Sequence, residues 1–310
     1  MTGVPLPDHV EAIAKKVNNW GRWGSDDQLG TLNFIDEAAR LRGVKSVRTG
    51  RAFALGLPLD ENGPQMGFVK GRDNPVHTMV MINEPSQPGS TGCWSDDAIT
   101  MGVQACTHWD ALSHASLDGQ LYNGHPASAI TSEGAALCGI DVIPTIVSRG
   151  ILLDVARARG VDQLPGGYAI GPEDLDAALA LAGLNIEPGD IILLRTGHMK
   201  VFLSGDKLNY AVTAPGPGIH AAEWMHRHSV AALALDNLIF EVFPCESKDA
   251  WLPVHFLHLV HMGMIQGQNW NLEELAADCA SDGQYDFLLN ASPEPITRGT
   301  GSMVNPVAVK

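Results

Sequence analysis

The segment Gln104–His114, which reads QACTHWDALSH, carries the clearest chemical signal in the sequence. Side chains alternate between faces along a strand, so the segment is predicted to place Gln104, Cys106, His108 and Asp110 on one face. An imidazole and a carboxylate two residues apart supply N and O ligands suited to Zn²⁺ or Mn²⁺. His114 follows the predicted strand end and could return as a ligand or a base. By itself, the pattern fits half of a metal site or a hydrogen-bonded surface pair.

Several other side chains could line a pocket around such a site. Trp23, in an aromatic, glycine-rich loop, and Trp94 could clamp a flat substrate, although core packing is the commoner role of tryptophan. His125 lies shortly after the His/Asp segment and could also contact substrate. Cys106 could act as a soft ligand or nucleophile, but a cysteine in a strand is more often a small buried apolar residue.

Composition excludes several classes of function. The chain has 310 residues, 45% of them hydrophobic, and 35 acidic against 20 basic residues give a net charge of −15. Such a charge disfavours nucleic acid and anionic membrane surfaces as partners. No apolar run reaches the roughly 18 residues of a membrane span, and residues 1–10 lack a secretory signal pattern. Five cysteines without a CxxC pair indicate reduced thiols, so we expect a cytoplasmic protein.

The elements that must position these residues are short and closely punctuated by 33 glycines and 19 prolines. Apolar patterning predicts a mixed α/β fold with a sheet core flanked by helices. The predicted strands are Phe53–Leu57, His77–Ile82, a long strand or strand pair over Ile99–Asp110, Gly150–Asp154, Ile191–Thr196 and Val230–Leu235. The predicted helices are Asp8–Val17, Ile35–Arg42, Pro172–Ala182, Ile219–His228, Val254–Met264 and Leu272–Cys279.

The segment from Thr107 to His114 resembles the signature H-x-G-T-H-x-D-x-P-x-H of the cyclase family of metal-dependent hydrolases, which includes kynurenine formamidase and isatin hydrolase. The resemblance extends over most of the chain. Further matching landmarks are Trp23-Gly24-x-x-Asp27-x-x-Gly30-x-Leu32-Asn33, Tyr122-Asn123-Gly124, Arg149-Gly150-x-Leu152-Leu153-Asp154, Pro188-Gly189-Asp190, Arg195-Thr196-Gly197 and Asp236-Asn237. The resemblance implies a swivelling β/β/α-type single domain over residues 1–310, with residues 1–50 and their Trp/Gly-rich loop packed on it. It also implies assembly as a homodimer or homotetramer.

Two departures from the family pattern bear on the metal. Gln104 stands where the family has its first histidine, and Gln268 appears at the position of a C-terminal glutamate, while His255 matches the C-terminal histidine. Two divalent ions repel each other and need carboxylates to compensate. The resemblance therefore implies one ion, held by His108, Asp110, Gln268 and waters, with Mn²⁺ favoured over Zn²⁺.

The function implied is metal-dependent hydrolysis of an acyl C–N or C–O bond in a small molecule, such as a cyclic amide, a lactone or an N-acyl aromatic. His114 is the predicted general base, because imidazole titrates near neutrality. His255 is the second catalytic candidate and could protonate the leaving group. Two alternatives remain at this point: a metal-binding protein without hydrolytic activity, motivated by the two glutamines, and a lyase or dehydratase that uses the metal to stabilise an enolate.

Overall fold

A computed structural model describes residues 6–310, so residues 1–5 of the predicted domain lie outside the described residues. Within the described range, fifteen strands form one large sheet and three two-stranded sheets. The strands are β1 Ala52–Ala54, β2 Val76–Pro85, β3 Cys93–Thr100, β4 His108–Asp110, β5 Ile130–Thr131, β6 Gly134–Ala135, β7 Val147–Asp154, β8 Ala169–Ile170, β9 Ile191–Arg195, β10 Gly216–Pro217, β11 Ala232–Leu235, β12 Gln266–Gln268, β13 Asp286–Asn290, β14 Gly301–Met303 and β15 Val307–Val309.

The large sheet has nine strands in the order β1-β15-β13-β7-β9-β11-β12-β4-β14. Its centre is parallel, because β7, β9, β11 and β12 run in one direction. The strands outside this centre pair antiparallel, including β4 with both β12 and β14. The candidate His/Asp strand β4 therefore lies inside the sheet, next to the last parallel strand.

Helices flank the sheet, as the sequence predicts for a mixed α/β domain. The α-helices are α1 Asp8–Val17, α2 Glu37–Lys45, α3 Val155–Ala158, α4 Pro172–Ala182, α5 Met199–Leu203, α6 Lys207–Val212, α7 Ala221–Arg227, α8 Pro253–His255 and α9 Glu273–Asp282, and a π-helix, Phe256–Met262, continues α8. Short 3₁₀ turns occupy Gly30–Phe34, Tyr122–Gly124, Ala127–Ala129 and Ile140–Val142. The predicted fold class is confirmed.

The central strands are buried on both faces. In β9, Ile191 and Leu193 belong to one hydrophobic cluster and Ile192 and Leu194 to the other, as the two-residue period of a strand requires. This explains why these strands appear in the sequence as continuous apolar runs rather than as alternating patterns. The sheet is thus a rigid support for side chains at its strand ends.

The prediction of one long strand or strand pair over Ile99–Asp110 is wrong. β3 ends at Thr100, residues 101–107 form turns and bends, and β4 begins at His108. A strand pair does exist, but β3 pairs with β2 in a separate hairpin. Gln104 and Cys106 consequently do not share a strand with His108 and Asp110.

Gly267 allows strand β12 to approach β4 closely. A Cβ atom at this position would lie 2.5 Å from the Cβ of Ala234 and 2.9 Å from the ring of Trp109. Trp109 and Trp270 pack edge to face beneath the strand, with ring centroids 5.0 Å apart. The glycine therefore lets two indoles support the face opposite the candidate ligands.

None of the helices formed by the described residues is both long and apolar enough to cross a membrane.

Candidate metal centre and its cavity

His108 and Asp110 form the centre of the candidate site. Both lie on β4 and are almost completely buried, and His108 Nε2 is 3.5 Å from Asp110 Oδ1. The Nδ1 of His108 is 2.7 Å from the carbonyl oxygen of Cys106. This acceptor fixes the ring proton on Nδ1, so the lone pair of Nε2 is available to a metal ion. Neither Nε2 nor Asp110 Oδ1 has a hydrogen-bond partner among residues 6–310.

Gln268 lies on the neighbouring strand β12, directly opposite His108. Its Nε2 donates a 2.6 Å hydrogen bond to Asp110 Oδ2, the carboxylate oxygen that does not face His108. This contact orients the carboxylate so that Oδ1 remains available. No described residue donates a hydrogen bond to the Gln268 amide oxygen, which leaves that oxygen available as a ligand.

His114 reaches the same carboxylate from the turn after β4. Its Nδ1 lies 3.7 Å from Asp110 Oδ1, and its side chain is only partly exposed. Burial lowers the pKa of His114, and the charges of His255 and Arg72 lower it further, against the opposing effect of Asp110. Burial also acts to raise the pKa of Asp110, but the charges of His114 and His108 outweigh it and hold that pKa well below its usual range.

His255 approaches from the last turn of α8 and is oriented by Glu241, a residue that sequence reasoning missed. The Nδ1 of His255 lies 2.6 Å from Glu241 Oε1, and the backbone amides of Val254 and His255 donate to the two oxygens of the same carboxylate. Glu241 is buried. A single carboxylate within the apolar run Leu238–Phe243 was the available signal, since buried carboxylates need partners.

A cavity of about 420 Å³ lies beside these residues. Gln268 and His255 contribute polar atoms to its wall, and Arg72 contributes its one side chain with a permanent charge. Most of the remaining wall is apolar, including Phe68, Ile239, Phe243 and Trp251. Its volume and composition suit a small organic ligand with an apolar body.

Other residues singled out by the sequence lie outside this cavity. Trp94 is exposed on hairpin strand β3, and Trp23 packs edge to face on Phe34. His125 Nε2 lies 3.2 Å from the carbonyl oxygen of Asp27 in the N-terminal loop. The structure does not bring these three predicted substrate-binding residues to the cavity wall.

Neither Gln104 nor Cys106 is placed to act as a metal ligand. Gln104 Nε2 is 3.4 Å from the hydroxyl of Thr300, because the turns over residues 101–107 direct it towards β14. Cys106 is fully buried, and burial raises the pKa of its thiol to about 11, so it is protonated at neutral pH. The interpretation of Cys106 as a small buried apolar residue fits this placement.

The residues present fit one divalent cation. Two buried and unpartnered ligand atoms, His108 Nε2 and Asp110 Oδ1, face each other, and such atoms are costly unless a cation or water pairs them. Among residues 6–310, no three His, Cys, Asp or Glu side chains form a ready-made ligand set. An amide oxygen or waters must therefore complete the coordination shell.

Two comparisons with known proteins gave matches over most of the chain. A family model described as "Putative cyclase" matches residues 53–242. The crystal structure of a novel cyclase is similar at 38% identity and TM-score 0.88, covering 96% of this chain and 99% of that one. No curated protein matches significantly.

More distant structures share the fold. Isatin hydrolase A from Labrenzia aggregata, bound to benzyl benzoate, is 20% identical with TM-score 0.61, over 86% of this chain and 94% of that one. A predicted metal-dependent hydrolase from Bacillus stearothermophilus is 16% identical with TM-score 0.50, over 83% and 97%.

Proposed function

The chain belongs to the cyclase family, and on that premise we propose that it is a metal-dependent hydrolase of an acyl C–N or C–O bond in a small molecule. The bond would lie in a cyclic amide, a lactone or an N-acyl aromatic. The observation that carries the proposal is the convergence of His108, Asp110 and His114 on a single point beside an apolar cavity. The metal-dependent hydrolases among proteins of the same fold support it.

His108, Asp110 and Gln268 would hold the cation, which when bound would polarise the scissile carbonyl and acidify a water. The negative charge of Asp110 compensates part of the cation's charge, and the hydrogen bond from Gln268 holds its carboxylate in place. His114 would accept the proton of the attacking water. Its lowered pKa keeps the imidazole neutral, and so able to accept a proton, at neutral pH.

His255 would donate a proton to the leaving nitrogen or oxygen. Its contact with Glu241 supports this role, because a carboxylate at Nδ1 fixes the orientation of the ring and directs Nε2 away from Glu241. The arrangement separates a base and an acid onto two elements, the turn after β4 and the helix α8. Hydrolysis needs both functions within one cycle.

We propose a single cation per chain, with Mn²⁺ favoured over Zn²⁺. The position of Gln104 against Thr300 and the presence of an amide at Gln268 support this, since a second cation would lack carboxylate compensation. A site with an amide ligand and several waters suits Mn²⁺ better than a closed tetrahedral zinc site. Elemental analysis of the purified protein should give about one equivalent per chain, and two equivalents would contradict the proposal.

The proposed function is tested by removing the metal and by Asp110→Asn. A panel of lactones, cyclic imides and formanilides provides the substrates. Treatment with a strong chelator should abolish hydrolysis, and Mn²⁺ or Zn²⁺ should restore it. Asp110→Asn keeps the shape of the side chain but removes its charge, so bound metal and activity should fall together, by at least tenfold.

Gln104→Asn is the matched control for that substitution, because it alters a nearby polar residue that faces Thr300 instead of the centre. Full hydrolysis by metal-free protein would refute the mechanism. Metal binding without turnover of any panel member would favour the non-hydrolytic alternative. Products formed without ¹⁸O from labelled water would favour a lyase, because hydrolysis must place a solvent oxygen in the new acid.

A further inference from the structure

Arg72 is a cation without a counter-charge at the edge of the candidate centre. Its backbone amide donates to the carbonyl of Val69, but its guanidinium has no hydrogen bond or ion pair with any residue from 6 to 310. The less exposed arginines of the chain behave differently, since Arg149 pairs with Asp190 and Arg195 pairs with Asp154 and Glu273. In a chain with 35 acidic and 20 basic residues, a half-buried arginine without a carboxylate partner is an exception.

The backbone around Arg72 is held against the segment that leads to β4. Gly102 donates its amide to the carbonyl of Asp73, and a Cβ atom on Gly102 would lie 2.9 Å from the Cα of Arg72. Arg72 is also close enough to His114 for its charge to lower the pKa of that histidine. The guanidinium is therefore positioned beside the catalytic centre and is not merely part of a distant loop.

The cavity that Arg72 lines offers the guanidinium no internal partner. No aspartate or glutamate contributes to the wall, and polar groups other than Arg72 come from Gln65, His255 and Gln268. The rest is apolar, so a ligand that fills the cavity would remove water from around the cation. A desolvated cation without a partner is costly, and a carboxylate is the anion whose planar geometry matches a guanidinium.

We propose that Arg72 binds a permanent carboxylate of the substrate, and that the preferred substrates are carboxylic acids with an apolar, preferably aromatic body that carries the scissile acyl bond. The inference rests on the proposed hydrolase function for the bond that is cleaved. The part of the inference that concerns carboxylate binding by Arg72 does not rest on that function, because the carboxylate is bound before any reaction. Arg72 is thus a specificity-determining residue.

Binding is tested with two probes of the same shape, 2-naphthoate and 2-naphthamide, titrated calorimetrically into the full chain as purified, with metal content measured. The wild type should bind the anion at least tenfold more tightly than the amide. Arg72→Gln should reduce this preference to less than twofold without weakening the amide. Arg72→Lys should retain part of it, since the charge remains but the two-pronged geometry is lost.

Arg40→Gln is the matched control, because Arg40 is an exposed arginine on α2 and the substitution changes the net charge equally. The preference should survive it. An anion preference that persists in Arg72→Gln would assign carboxylate binding to the metal and overturn the proposal. The absence of any preference in the wild type, or of naphthoate binding at millimolar concentration, would also overturn it.

Measurements of turnover distinguish binding of a carboxylate that the substrate already carries from binding of the carboxylate that hydrolysis creates. 2-Formamidobenzoate and formanilide both release formate when water adds to the formyl carbon, the C–N bond breaks and the amine takes up a proton. Because Arg72 also acts on the pKa of His114, formanilide reports that effect in the same variant. Arg72→Gln should lower kcat/KM for 2-formamidobenzoate at least tenfold more than for formanilide, mainly through KM. An equal loss for both substrates would mean that Arg72 serves the departing formate, which contradicts the proposal. If neither is hydrolysed, the proposed function fails for these substrates, while the calorimetry still decides the role of Arg72.

Discussion

A single carboxylate organises the candidate site at the level of individual residues. Asp110 Oδ1 faces both His108 and His114, while Oδ2 accepts the hydrogen bond from Gln268. The two histidines differ in their surroundings. His108 is buried and its Nδ1 is fixed by the carbonyl of Cys106, whereas the side chain of His114 is partly exposed. These differences favour His108 as a fixed ligand and His114 as the group that exchanges protons.

His114→Ala separates the two roles that the sequence leaves open for this residue. We expect the variant to keep its metal and its fold, and to lose about 10²–10⁴ in kcat, the usual contribution of a general base. Metal content and kcat are measured on the same sample. A metal-free variant would identify His114 as a ligand, and a metal-loaded variant with normal kcat would exclude both roles.

His125→Ala is the matched control for this experiment. His125 follows the same motif but bonds a loop carbonyl outside the cavity, so its removal should leave kcat within a few-fold of the wild type. A loss comparable to that of His114→Ala would show that the measurement reports general destabilisation instead of proton transfer.

The sequence predicts contacts in the site correctly where the residues are close together in the chain, but not where they are brought together by folding. The pairing of His108 with Asp110 follows from two-residue alternation and is present in the structure. The predicted orientation of Gln104 is wrong, because the bends before His108 depend on packing against distant segments. Glu241 could not be assigned to His255 from spacing, since a loop of 13 intervening residues brings them together only in the folded chain.

The helix that begins at Pro253 is the element in which prediction and structure differ most instructively. Apolar spacing predicts one regular helix over Val254–Met264, but after His255 it continues as a π-helix. The wider turn changes the direction of each later side chain. His258 becomes fully buried beside Gln266, and His261 stacks on Trp20.

Local signals were sufficient elsewhere. α4 occupies Pro172–Ala182 as predicted, because proline at its first position and Gly183 with positive φ mark its two ends. No comparable signal marks a π-helix, which forms when tertiary packing favours an extra residue in the turn. Element ends set by nearby residues are therefore predictable from sequence, whereas those set by distant packing are not.

His258 should make stability depend on pH. Burial lowers its pKa to about 3 from the usual 6.5, so the unfolded chain binds a proton below pH 6.5 that the folded chain rejects. The contribution is fully present above pH 6.5 and is lost as pH falls towards 3, by up to about 1.4 kcal/mol per pH unit. Urea unfolding between pH 7 and pH 4.5 should therefore show a shallower decline in His258→Gln than in the wild type.

His9→Gln serves as the comparison, because His9 is exposed on α1 and its side chain has no hydrogen bond or ion pair with any other described residue. It should reproduce the wild-type pH dependence. Identical pH dependence in His258→Gln and the wild type would mean that the histidine gains access to water or a partner in the folded protein.

At the scale of the whole molecule, the β2–β3 hairpin stands apart from the nine-stranded sheet. Its strands pair only with each other in the described chain, and large apolar residues are exposed along it, including Val80 at 62%, Ile82 at 64% and Trp94 at 63%. Exposed apolar side chains on a projecting element are typical of an interface. The hairpin supports the expectation of a homodimer or homotetramer, which stays a prediction.

Light scattering tests this expectation. The wild type should have a mass of two or four times 33.1 kDa, and Val80→Ser with Ile82→Ser should shift it towards the monomer at micromolar concentration. The control is Leu41→Ser with Val44→Ser, which removes similarly exposed apolar groups from α2. A monomeric wild type, or equal dissociation in the control, would contradict the role of the hairpin.

The position of β4 between β12 and β14 has a consequence for how the protein is made. On the ribosome, His108 and Asp110 emerge more than 150 residues before Gln268 and before Gly301–Met303, the strand on their other side. Because a strand of three residues has little stability without neighbours, the nascent chain cannot hold these ligands in place until β12 and β14 have been synthesised. Under the proposed function, acquisition of the cation would therefore be a late event in biogenesis, and a truncated translation product would carry the complete His/Asp motif without an assembled candidate centre.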